Sequence, residues 1–98
     1  MLIHVVLMRL RPGVAESALD ELACRVGDLA ESVAGPDSCV VGANVTVEPL
    51  SQDFEFGFVL RFADHAQLDA YYVNPAHLPV SLAIRDLARM VLVFDFAT

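Results

Sequence analysis

The chain is predicted to fold as one α+β domain of ferredoxin-like plan, βαββαβ, and three observations predict it. Apolar period-two segments and helix-period segments alternate in that order along the 98 residues. The length matches one core, since single domains usually run about 100–150 residues. Hydrophobic residues make up 56% of the chain with glycine left out, whereas typical domains reach about 45–50% with glycine counted. A domain this small has limited interior, so the excess predicts a subunit interface.

Each element has its own signal. Met1–Leu10 is rich in Val, Leu and Ile and apolar on both faces, which suits a buried strand ended by Arg11-Pro12-Gly13. Leu19, Leu22, Val26, Leu29 and Val33 follow at helical spacing, and Gly35-Pro36 stops that helix. Gly27 inside it predicts a close packing contact. A second strand is expected over Ser38–Val47 and a hairpin loop over Glu48–Asp53. Phe54, Phe56, Phe58, Leu60 and Phe62 then line one face of a third strand. Asp64 and Gln67 have capping-box spacing and open a helix through Tyr71 and Tyr72. Asn74-Pro75 breaks it, because a residue before proline avoids the α region. A further helix is expected from Ala76 to about Arg89, with Pro79 tolerated in its first turn, and a last strand over Met90–Phe96. In this plan the sheet is antiparallel, in order 4-1-3-2, with helices on one face only. The first and last strands are apolar on both faces, so a homodimer through the helix-free face is expected.

Composition excludes several function classes. The formal net charge is −7, from six basic residues and thirteen acids, which argues against nucleic acid and anionic membrane partners. The nucleotide-binding and serine-hydrolase signatures G-x-G-x-x-G, G-x-x-x-x-G-K and G-x-S-x-G do not occur. His4, His65 and His77 lack metal-ligand spacing, and Cys24 and Cys39 form neither a C-x-x-C pair nor a disulfide framework. No cofactor and no metal are therefore expected. With strand-like sequence at the N-terminus and two reduced thiols, a cytoplasmic location is expected.

One constellation carries chemistry. In the predicted topology His4, near the start of the first strand, and Asp95, near the end of the last, meet at one end of the sheet. His4, Val6 and Met8 share a strand face, as do Val91, Val93 and Asp95. Tyr71 and His77 flank the Asn74-Pro75 break, where side chains can turn inward. An imidazole can take and return a proton near neutrality. A carboxylate beside it holds the tautomer, and a phenol can donate to an oxyanion. His77, Tyr71, Asp95 and His4 are the candidate catalytic set. The expected pocket lining is Val6, Met8, Phe56, Phe58, Leu60, Val80, Ala83, Val91 and Val93. Taken singly, each group also has an ordinary structural role. His4 can be a hydrogen-bonded strand residue, Tyr71 a core aromatic, Asp95 an acceptor of backbone donors, and His77 a local cap.

The chain resembles the stress-responsive dimeric α/β-barrel (Dabb) domains. The resemblance starts at Ile3-His4-Val5-Val6-Leu7-Met8-Arg9-Leu10 and Arg11-Pro12-Gly13. It continues through Phe62-Ala63-Asp64, Tyr71-Tyr72-Val73-Asn74-Pro75-Ala76-His77, and Val91-Leu92-Val93-Phe94-Asp95-Phe96. It implies one domain over residues 1–98 and a barrel formed by two sheets. Most such proteins have no assigned activity, and the plant stress proteins look structural or chaperone-like. An olivetolic acid cyclase-like branch performs cofactor-free aldol-type ring closure with a Tyr and a His as acid–base pair, which fall on Tyr71 and His77. The strand residues of that branch fall on His4 and Asp95. The chain departs from it at Asn74, where the branch has His, around Asp28, where no aromatic stands, and at Ala83 and Ala88, which replace large residues. Three functions follow as expectations. They are a cofactor-independent cyclase or isomerase for a β-keto compound, a non-catalytic stress or ligand-binding dimer, and a cofactor-free oxygenase.

Overall fold

Strand β1, Leu2–Leu10, alternates without exception at its start: Leu2, His4, Val6 and Met8 are buried, while Ile3, Val5 and Leu7 are half-buried. The computed structural model describes residues 1–98. Period-two backbone geometry sends the even residues under the helices and the odd ones to the opposite face. Helix α1, Glu16–Ala34, buries Leu22, Val26, Leu29 and Ala30 against that even face. Gly35, at φ 85°, ends it, and its N–H donates to the Glu31 carbonyl at 2.9 Å. The close contact expected at Gly27 is absent, since a Cβ there would meet nothing within 4 Å.

Strand β2 is shorter than expected, Cys39–Ala43, and strand β3 begins at Phe56 and runs to Phe62. Local side-chain bonds end the ladder. The Asn44 Oδ1 accepts from the Thr46 N–H, the Thr46 Oγ1 accepts from the Glu48 N–H, and the Asn44 Nδ2 donates to the Phe54 carbonyl. Val47 is left 99% exposed. Left-handed Gln52 and Asp53 complete the loop. Helix α2, His65–Val73, is capped as expected: Asp64 Oδ1 accepts from the Gln67 N–H and Gln67 Oε1 accepts from the Ala63 N–H.

Asn74 then organises the break. Its N–H donates to Ala70, its Oδ1 accepts from the Ala76 N–H, and its carbonyl accepts from the His77 N–H. Helix α3 therefore starts at His77 and ends at Leu87. Strand β4 follows at once, Ala88–Ala97, two residues earlier than expected. A bulge absorbs the difference, because Arg9 pairs with Met90 but Leu10 with Ala88.

All pairs are antiparallel and the order is β2-β3-β1-β4, the expected 4-1-3-2 plan. Fifteen buried apolar residues form one core between helices and sheet. The helices leave β4 uncovered beyond Ala88. No helix is long and apolar enough to cross a membrane.

Candidate active site

Register assembles the first pair. His4 on β1 lies directly opposite Asp95 on β4, and their side chains point to the same face. The His4 Nδ1 stands 2.5 Å from the Asp95 Oδ1. A carboxylate only accepts, so the proton between them sits on Nδ1. The His4 side chain is 4% exposed and that of Asp95 33%. The pair therefore sits at the lip of the core, with the imidazole inside.

The break between α2 and α3 supplies the rest. Tyr71, 2% exposed, lies in the last turn of α2 with its ring 5.9 Å from His4. His77, first residue of α3, presents an edge to Tyr71 at 4.9 Å between ring centroids. Tyr72 closes the group, 5.4 Å from His77 and 5.9 Å from His4. Neither the His4 Nε2 nor the Tyr71 hydroxyl is an enclosed orphan, so both reach open space. That space is a cavity of about 260 Å³ lined by His4, Val6, Phe58, Tyr71, Tyr72, His77, Ser81, Ile84, Arg85, Val91 and Val93.

Burial sets the protonation states. It pushes the Tyr71 phenol well above its usual range, with ionised Tyr72 and Cys39 adding to the rise. Tyr72 is raised too, by burial and then by Asp95 and Asp69. His77 is lowered from its ordinary 6.5 by burial and then by His4. At neutral pH both phenols are donors and His77 is an uncharged base. Burial and then Glu31 raise the Cys39 thiol, which keeps it protonated at neutral pH. No three His, Cys, Asp or Glu side chains gather as a metal-binding group.

The candidate residues thus divide. His4, Tyr71 and His77 share the cavity, and Asp95 reaches it through His4 rather than contacting His77. Of the expected lining, Val6, Phe58, Val91 and Val93 line it. Met8, Phe56, Leu60 and Val80 are instead core residues, packed beneath the helices. Ala83 faces the groove between α1 and α3. These five corrections share one cause: α1 packs over β2 and β3 and α2 over β3, while β4 is exposed beyond Ala88, so the open space lies toward β4. Sequence reasoning missed Tyr72, Ser81, Ile84 and Arg85. The last three fall four, seven and eight residues after His77, one face of a helix.

The sequence profile of the Stress responsive A/B Barrel Domain (Dabb) matches residues 2–98. Among solved structures, a dimeric ferredoxin-like protein of unknown function from Jannaschia sp. is 28% identical, with a TM-score of 0.88 over 99% of this chain and 98% of that one. The hydroxynitrile lyase of Passiflora edulis is 16% identical, TM-score 0.83, covering 97% and 90%. SnoaB, a cofactor-independent oxygenase of Streptomyces nogalater, is 14% identical, TM-score 0.73, covering 99% and 91%. The last two likenesses concern the fold alone. No curated protein matches the sequence. Over nearly its whole length, then, the chain belongs to the stress-responsive A/B barrel (Dabb) domain family.

Proposed function

We propose that the protein is a cofactor-independent acid–base enzyme acting on a small β-keto compound, in an aldol-type ring closure or an isomerisation. The observation that carries this reading is the convergence of His4, Tyr71, Tyr72 and His77 on one cavity, with a carboxylate on the far nitrogen of His4. Four such groups around one apolar space exceed what packing alone requires. Near 260 Å³ the cavity lies just below the usual range of ligand sites, about 300–1,000 Å³, which favours a compact substrate.

The reaction begins with uncharged His77 taking a proton from the carbon beside a carbonyl. The C–H electron pair moves to the carbonyl oxygen, and the Tyr71 hydroxyl donates a hydrogen bond to the resulting oxyanion. The enolate carbon then attacks a second carbonyl to close a ring, or is reprotonated at a new position to isomerise. Protonated His77 then returns its proton to the new alkoxide or to the new carbon, while His4, its Nδ1–H held by Asp95, orients the substrate beside it. Two fold neighbours described as enzymes, one a cofactor-independent oxygenase, support the idea that this scaffold accommodates such chemistry.

The working unit in this reading is a homodimer joined through the helix-free sheet face, with one cavity per subunit. That face carries exposed Val40, Leu92, Phe94 and Phe96, too large an apolar patch to be left in water. The neighbour from Jannaschia is itself described as dimeric.

Deuterium exchange at the α carbon of β-keto substrates, followed by NMR, tests the reading. His77→Gln is expected to slow exchange by about 10²–10⁴-fold, and Tyr71→Phe by about 10²–10³-fold. Equal rates in both variants and the wild type would sink it. Ligand binding without exchange in the wild type would indicate a binding protein. Oxygen uptake with an electron-rich quinol would indicate an oxygenase.

A further inference from the structure

The cavity wall is electrostatically unlike the rest of the molecule. The chain holds thirteen acids against six basic residues, yet no Asp or Glu lines the cavity and Arg85 does. Two ion pairs exist in the chain, His4–Asp95 and Arg25–Glu21, and Arg85 belongs to neither. Its segment is anchored from behind: the Arg11 guanidinium donates to the Arg85 carbonyl at 3.2 and 3.4 Å, and the Arg11 N–H donates to the Leu87 carbonyl at 2.8 Å. Arg11 thus fixes the last turn of α3 and brings a second positive charge beside it.

We infer that Arg85 binds an anionic group of the substrate, so that the substrate class is a small keto compound ending in a carboxylate. The inference rests on the cavity being the reaction site proposed above. Eight residues separate His77 from Arg85, roughly 12 Å along the helix axis. Helical side chains lean toward the N-terminus, which carries the guanidinium back toward Ser81, about one turn from His77. A carboxylate held there, with the Ser81 hydroxyl as a further donor, places carbons a few bonds away at the His77 imidazole. The guanidinium fork fits a carboxylate with two parallel hydrogen bonds. Because the protein as a whole is acidic, this attraction is local and weakens with salt. Arg85 in the last turn also complements the α3 dipole, a role that would alter stability without altering ligand choice.

The test uses succinylacetone, a β-diketone whose chain ends in a carboxylate, and its neutral primary amide. Both are titrated by NMR into wild type, Arg85→Gln and Arg85→Lys proteins. The wild type is expected to bind the acid about 10-fold tighter than the amide. Arg85→Gln brings the ratio close to one while amide affinity holds, and Arg85→Lys, which keeps the charge at the helix end, keeps part of the preference. An equal affinity for acid and amide in the wild type overturns the inference. So does a preference that survives Arg85→Gln, or no binding of either probe. The two proposals fail separately. A preference abolished by Arg85→Gln in a protein with no α exchange sinks the acid–base reading alone. Exchange that depends on His77, with no acid preference, sinks the anion site alone.

Discussion

The two faces of the sheet are made by alternate residues of the same four strands, yet they differ in kind. On the helix-covered face, Leu60 and Met8 are fully buried and His4 is hydrogen-bonded to Asp95 at its margin. On the helix-free face, their sequence neighbours Val59, Leu7 and Phe94 are half-buried or exposed, and Phe94 is 58% open. The covered face is complete within one chain except above β4, and that gap is the cavity. The bare face is incomplete and carries no comparable polar cluster. Polar groups therefore gather where helices exclude water, and exposed apolar surface where they are absent.

The sharpest way to break this contrast is to truncate across it. Leu60→Ala should destabilise the fold by about 2–5 kcal/mol, measured by denaturant unfolding. Phe94→Asp should leave the unfolding of the separated chain nearly unchanged but weaken the proposed dimer by roughly 100-fold or more, since it buries an unpaired charge. Sedimentation reads that loss directly, and an unchanged dimer would place the interface elsewhere.

A smaller effect separates two glycines that face each other across β2 and β3. A Cβ on Gly57 would meet the Leu7 Cδ2 and the Val6 carbonyl oxygen at 2.8 Å, and the backbone oxygen cannot yield. Gly57→Ala should therefore cost about 1–3 kcal/mol. Gly42 has nothing within 4 Å, so Gly42→Ala should stay within about 0.5 kcal/mol. Equal costs would mean that the close approach of β1 to Gly57 contributes nothing.

The smallest expected effect is a pH dependence. His77 titrates below its ordinary 6.5 because burial and His4 disfavour the cation. The unfolded chain then binds more protons over the interval beneath 6.5. The contribution of His77 to stability is full above that value and declines as pH falls toward the folded pKa. The acid limb of any activity should lie in the same interval. An NMR titration of the His77 ring with a midpoint at or above 6.5 would break this link.

Part of the candidate site is legible in the sequence, for identifiable reasons. His4 and Asp95 could be paired because antiparallel neighbours bring opposite chain ends together, whatever the exact register. Tyr71 and His77 could be linked because Asn74-Pro75 must interrupt a helix. The lining was less legible. Met8, Phe56, Leu60 and Val80 have the same apolar character as Val6, Phe58, Val91 and Val93, and periodicity cannot say which of them a helix will cover. Arg85 is not legible in the sequence, because an exposed-type charge on an amphipathic helix gives no sign of which face will border a cavity.

By itself the sequence determined the element order, the alternation of β3, the caps at Asp64 and Gly35 and the break at Asn74. These are local consequences of side-chain periodicity and backbone preference, acting over a few residues. The tertiary structure alone decided where the helices lie across the sheet. That placement turned Leu60 into core and left Val93 exposed, opened the cavity toward β4, and set Arg85 rather than an acid in its wall. Such outcomes depend on how whole elements share the burial of apolar surface, a competition over the entire domain that no short segment encodes.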